Sequence, residues 1–343
     1  MNLRRLIAVA SAVLSFQSAT AQAAVLHPIG RTALAGYSGD FDHFAVDLRG
    51  NRLFLAAEDH GTLEVFDLRS GKHLRTVSGV ETPHALLYMA DSKRLIVSDS
   101  GAGLTKILDA ATLAPLGTIA TAPGADSMGY DAQAGCVYLV TGGKNGNMAQ
   151  SILVKVDAHT GRTLAEARFD TDKVEAMAIE QNGRLLYLNV TGKNEVAVLD
   201  KATLEVVKTW PIVAGQANAA MALDEAHARL FVVTRKPYQL LVLDTATGAT
   251  VAALPAPQRT NEVIFDRDNQ RVYLAGDDVI GVVRQRDPEH YEALAPVASA
   301  KGAKTAILVP QRRRLFAAVS PGEGKTGAAL IWFDVAPASP AAK

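Results

Sequence analysis

Among 343 residues there is one cysteine, Cys136. No intramolecular disulfide can form, and paired CxxC metal or redox sites and a CxxCH haem attachment are excluded. HExxH and GxSxG are also missing, so the common zinc-protease and serine-hydrolase signatures are absent. Net charge is missing too, because Lys plus Arg and Asp plus Glu number 35 each. Without a basic excess the chain offers no electrostatic footprint for nucleic acid or an anionic membrane surface. Beyond the N-terminus no apolar stretch is long enough to span a bilayer. What is plentiful is apolar residues, 48% of the chain against 20% charged, enough for a large core.

The first residues, MNLRRLIAVASAVLSFQSATAQA, place Arg4 and Arg5 before an apolar stretch of 11 residues, Leu6 to Phe16. Small residues follow at Ala21 and Ala23, the pattern of a secretory signal peptide cut before Ala24. Removal of residues 1–23 leaves 33 basic against 35 acidic residues. The mature chain is expected in the periplasm or beyond, with no transmembrane segment. Cys136 lies in CVYLV and is expected to be a buried small hydrophobe.

One short apolar strand recurs seven times. Its second residue is Phe54, Ile96, Tyr138, Tyr187, Phe231, Tyr273 and Phe316, at intervals of 42, 42, 49, 44, 42 and 43 residues. Such regularity identifies a repeat architecture. Each copy adds a strand before and a strand after, joined by turns rich in Gly, Asn and Asp, as in FAVDLRGNR and VLDTATG. Six fourth strands follow, one too few for seven copies. Residues 24–34, AVLHPIGRTAL, supply the missing one by pairing with the last copy around Leu330 to Asp334. The expected fold is all-β, a seven-bladed β-propeller of four-stranded antiparallel blades closed by its N-terminal strand. The expected division is a signal peptide at 1–23, one propeller domain at 24–337 and a tail at 338–343. The 49-residue interval reflects a polar insertion, GGKNGNMAQ, at 142–150.

The blade endings VLDTATG, VLDKATL and ILDAATL, with the strands LFVVT and VYLAG, resemble the YVTN/YncE-like family of exported bacterial β-propellers. The likeness covers essentially the whole mature chain, although LYLNVTG and LFVVTRK only approach the family's YVTN strand. It implies binding or scaffolding rather than an assigned reaction.

Polar residues that differ from blade to blade at repeating positions are the candidates for function. Alignment from the turn after the first strand puts His43, His84, Ser127, Ala176, Ala220, Glu262 and Thr305 in one ring. Asp42, Pro83, Asp126, Glu175, Ala219, Asn261 and Lys304 precede them in a second. Both rings are expected near one channel mouth, with His43, Asp42, His84, Asp126, Glu175, Asn261, Glu262 and Lys304 as ligand-binding residues. His43 and His84 with nearby carboxylates would suit a divalent transition metal; the alternative is a solvated channel lining. No other cofactor is expected. Glu58-Asp59-His60 and Asp99-Ser100 read as turn residues, and Lys144 and Asn145 read either as a partner contact or as part of a tolerated insertion. SPGEGKTG, residues 320–327, lacks the first glycine of a phosphate loop, since Val319 holds that place. Arg312, Arg313 and Arg314 read as a solvated turn, and Trp210 and Trp332 as packing residues. The expected partner is an envelope protein, peptide or small ligand; the competing class is a metal-assisted hydrolase or lactonase using the same ring.

Overall fold

A computed structural model describes residues 24–321 and 327–338. They form seven antiparallel sheets, six of them laid down in chain order from the first strand outward. We number them blade 1 (residues 44–77), blade 2 (83–120), blade 3 (128–169), blade 4 (177–211), blade 5 (216–255), blade 6 (262–298) and blade 7 (305–335). In blade 6 the outer strand is broken, and His290–Ala293 and Val297–Ala298 both pair with Val279–Asp287. Blade 7 takes its fourth strand from Leu26–Ala33, which pairs with Ala329–Val335 in the register Leu26↔Val335 to Ala33↔Ala329. The surplus strand of the sequence is therefore the closing strand.

The repeating residue is the reason the sheets assemble. Phe54, Ile96, Tyr138, Tyr187, Phe231, Tyr273 and Phe316 all have no exposure. Each aromatic one packs into the next blade: Phe54 against Leu86 and Val97, Tyr138 against Leu186 and Leu188, Phe316 against Leu53, Leu55 and Phe66. A four-stranded sheet has two apolar faces, and only a neighbouring sheet on each side can cover both. The last of these contacts joins blade 7 to blade 1, so the ring closes by packing as well as by strand pairing. Trp210 and Trp332 are buried, as packing residues should be. Cys136 is buried as well, and burial pushes its thiol up.

The blade endings have a shared construction. Asp67, Asp109, Asp157, Asp200 and Asp244 each accept the backbone N–H groups two and three residues on. Asp287 accepts the N–H of Glu289. The aspartate that ends the third strand of these blades is thus a side-chain-capped turn. In Asp109, Asp157 and Asp287 these donors hold the carboxyl below its ordinary value of 3.8. In Asp67, Asp200 and Asp244 burial pushes upward, yet the turn donors and nearby basic groups together outweigh it. A carboxyl depressed on folding stabilises the fold above its unfolded value and loses that contribution as pH falls through the folded one. The melting temperature should therefore hold steady above about pH 4 and fall steeply below it. Melts followed by circular dichroism from pH 2 to 7 check this; a flat profile below pH 4 would count against the turns as a source of stability.

Candidate functional site

The first strand of each blade starts beside the central channel, and a β-bulge sets which residue faces it. The N–H of Asp42 donates to the carbonyl of Ala56 at 2.9 Å, and the N–H of Ala56 donates to the carbonyl of His43 at 3.1 Å. Two residues thus oppose one, which re-aims the side chains of the bulged pair. Asp126 and Ser127 face Val140 in the same way, and Glu175 and Ala176 face Asn189. In blade 6 the N–H of Asn261 donates to the carbonyl of Ala275, with Glu262 in register opposite.

Register corrects one sequence alignment. Between Pro83 and Leu86 the pairing shifts, so that His84 and Ala85 together oppose Ser98. Phe44 pairs with Leu55 and Leu86 with Val97, which makes His84 the equivalent of Asp42 and Ala85 that of His43. Pro83 lies one residue outside the ring. The alignment slipped because blade 2 lacks the turn aspartate found at Asp47, Asp131 and Asp266; Met89 stands there instead.

With this correction one ring reads Asp42, His84, Asp126, Glu175, Ala219, Asn261 and Lys304. All seven line a single cavity of about 190 Å³. His43 and Glu58 line it as well. Glu262 does not; it stands behind, with Oε2 3.1 Å from His43 Nδ1.

Asp42 is the hub. Its Oδ2 lies 2.9 Å from His84 Nδ1 and its Oδ1 3.5 Å from His43 Nε2. The two histidines are therefore bridged by a buried carboxylate. Lys304 donates to Asp40 Oδ2 at 2.6 Å, and Arg235 donates to Asn261 Oδ1 at 3.0 Å. Glu175 Oε1 is 3.4 Å from Lys173 Nζ. Asn145, carried in by the insertion, donates its Nδ2 to Asp126 Oδ2 at 3.0 Å. The insertion folds over the mouth, and Lys144 lines an adjoining cavity of about 190 Å³ with Asp172, Lys173 and Glu175.

Two residues assigned to turns belong to this site. Glu58 Oε1 lies 4.0 Å from His84 Nδ1, and Ser100 Oγ lies 3.0 Å from His84 Nε2. Their neighbours do serve the turns: Asp59 accepts the N–H of Asp40, and buried Asp99 accepts the N–H groups of Glu81 and Thr82 beside Lys106. In the sequence nothing separates Glu58 from Asp59, since adjacent residues of one loop point in different directions. Arg314 is not merely solvated, because its guanidinium donates to the carbonyl of Arg69 in blade 1. Residues 322–326, the centre of the phosphate-loop lookalike, lie outside the described residues, as do residues 1–23.

Crowded carboxylates set the protonation of the mouth. Burial pushes Glu58 up to about 7, with Asp42, Asp59 and Asp126 adding to it against the pull of His84. Burial also raises Asp126, reinforced by Asp42 and Glu175. For Asp42 burial acts upward too, but His43, His84 and Lys304 outweigh it and hold the carboxyl well below the usual range. Both histidines resist charging because they are desolvated, yet Asp42 and Glu262 lift His43 to about 10. Asp42, Asp126 and Glu58 lift His84 to about 9. The mouth is a site that holds positive charge.

No protein-family model matches the chain, and no curated protein matches its sequence. Solved structures do match the fold. A chain of a mitotic checkpoint complex superimposes with a TM-score of 0.71 at 16% identity, covering 98% of this chain and 99% of that one. The RRP9 WD40 repeats give 0.72 at 10% identity over 90% and 99%. The hydrazine synthase of Kuenenia stuttgartiensis gives 0.69 at 14% identity over 83% and 96%. The chain is a seven-bladed β-propeller whose structural neighbours include WD40 propellers.

Proposed function

We propose that this chain is an exported binding protein of the YVTN/YncE-like kind, whose channel mouth captures the positively charged group of an envelope protein, peptide or small ligand. The carrying observation is the ring itself. Seven equivalent positions line one cavity, and Asp42, Glu58, Asp126 and Glu175 supply four carboxylates there. The cations present have partners already, Lys304 on Asp40, His43 on Glu262 and His84 on Asp42, which leaves Glu58, Asp126 and Glu175. The excess of acid is what a cationic group would neutralise. Export is supported by the leader pattern of residues 1–23. A partner-binding role is supported by likeness to WD40 propellers and to a chain of a mitotic checkpoint complex.

Calorimetric titration of the mature chain with trilysine and triglutamate peptides tests the reading. Trilysine should bind and triglutamate should not. The double variant Asp126→Asn, Glu175→Gln should weaken trilysine by about tenfold or more, the value of a charge-assisted hydrogen bond. Equal binding of both peptides, or a double variant that binds like the parent, would overturn it. A metal-assisted hydrolase is the second reading, favoured by the closeness of His84 to Asp42 and Glu58.

A further inference from the structure

The corner around His84 is more specialised than a general acidic mouth. We propose that Asp42, Glu58, His84 and Asp126 form a binding site for one divalent transition-metal ion of the Zn²⁺ type. This deepens the reading of the mouth as a cation site and rests on it.

Geometry is the first argument. From His84 Nδ1 the nearest carboxylate oxygens are Asp42 Oδ2 at 2.9 Å, Asp126 Oδ1 at 3.8 Å and Glu58 Oε1 at 4.0 Å. One donor atom each from Asp42, Glu58 and His84 lie within 4.8 Å of one another. A tetrahedral ion with ligand bonds of about 2.0–2.2 Å holds its donors roughly 3.3–3.6 Å apart. The separations from Nδ1 straddle that spacing; the donors of Asp42, Glu58 and His84 would draw together by about 1 Å to close on an ion, with Asp126 as the outer fourth ligand. The mix of one imidazole nitrogen and carboxylate oxygens suits Zn²⁺ or its neighbours better than a soft-ligand or all-oxygen ion.

The outer contacts point the same way. Ser100 Oγ lies 3.0 Å from His84 Nε2 and 3.5 Å from the Thr82 carbonyl, and so holds the outer edge of the ring. The Nδ1 edge faces three carboxylates. In the metal-free protein Nδ1–H donates to Asp42 Oδ2 at 2.9 Å, and a metal ion would take the place of that proton. Two of the carboxylates are arranged to match. Asp126 gives Oδ2 to Asn145 and turns Oδ1 toward His84; Asp42 turns Oδ1 toward His43 and Oδ2 toward His84. Outer partners of this kind fix the tautomer of a metal-bound histidine and the orientation of its companion carboxylates.

A proton can fill the same gap, and direct titration separates the two. The mature chain is stripped with EDTA, dialysed, and titrated with ZnCl₂ at pH 7.5 by calorimetry, with MgCl₂ as the hard-ion control. One Zn²⁺ per chain should bind, with Mg²⁺ far weaker. His84→Gln and Glu58→Gln should each weaken Zn²⁺ by about 100-fold, the upper end of the losses produced by disturbing such sites. The Glu58 carboxylate accepts no hydrogen bond among the described residues, so Glu58→Gln keeps the test valid where His84→Gln is unstable; thermal melts of both check this. Lack of saturable Zn²⁺ uptake, or one-to-one binding retained by both variants, overturns the metal assignment. If trilysine still binds in that case, the reading of the mouth as a cation site stands. If neither probe binds, both readings fall.

Discussion

Deletion of residues 24–34 should leave a chain that no longer folds to a closed monomer. Leu26–Ala33 is the only strand of blade 7 drawn from the other end of the described chain. It also binds beyond its own blade, since Thr32 donates to the Gly71 carbonyl of blade 1 at 2.7 Å. Val25, Leu26 and Leu34 are buried on either side of the seam. Without the strand, Ala329–Val335 becomes a free edge, and an unpaired edge invites association with other chains. Loss of this much buried apolar surface is comparable with the whole stability of a domain, about 5–15 kcal/mol. Size-exclusion chromatography should show aggregate in place of the monomer peak. Adding a synthetic 24–34 peptide should restore cooperative melting. A deleted chain that remains monomeric and melts like the parent would refute the closing role. A graded version is Gly30→Val, because a Cβ there would meet the Trp332 ring at 2.0 Å. Overpacking against a rigid indole should cost about 3 kcal/mol in chemical denaturation.

Asp42→Ala should be the most costly single change at the channel mouth. It removes the carboxylate that joins His84 to His43 and leaves a buried imidazolium with weaker company. Removing one partner of a buried ion pair costs about 3–5 kcal/mol, and the surviving Glu58, Asp126 and Glu262 place this case near the lower end. The pH dependence follows from the directions of the shifts. Both histidines are raised on folding, from 6.5 to about 10 and about 9. Their contribution is complete below the unfolded value and is lost as pH rises through the folded ones. Asp42 is depressed from 3.8, so its share is present above that value and lost as pH falls. The difference between parent and variant should plateau from about pH 4 to 6.5 and shrink toward pH 10. Denaturant melts in EDTA across this range measure it. A difference that grows above pH 7 would show that charged histidines are not what Asp42 stabilises.

Much of this architecture is legible in the sequence. The recurrent strand from Phe54 to Phe316, the blade-ending aspartates and the odd N-terminal strand all map onto observed elements. The ring was legible in part. Asp42, His84, Asp126, Glu175, Asn261 and Lys304 do converge on one cavity, but His84 was placed beside His43 when it is equivalent to Asp42. Glu262, a mouth residue by its repeat position, supports His43 from behind. Glu58 and Ser100 look like turn residues in the sequence, yet both reach His84.

Seven blades and their closure follow from the amino-acid order alone, because strand alternation and turn chemistry are local and recur seven times. A local signal repeated at a constant period accumulates, and the error at any one copy is outvoted by the rest. Which side chains share the cavity around His84 depends on how the blades pack. Those residues lie in different blades, and their meeting depends on one-residue bulges where first strands such as those of blades 1 to 4 begin and on the direction of single loop side chains. Such choices occur once each, so no repetition reveals them. They are settled by how seven separately folded sheets pack around one axis.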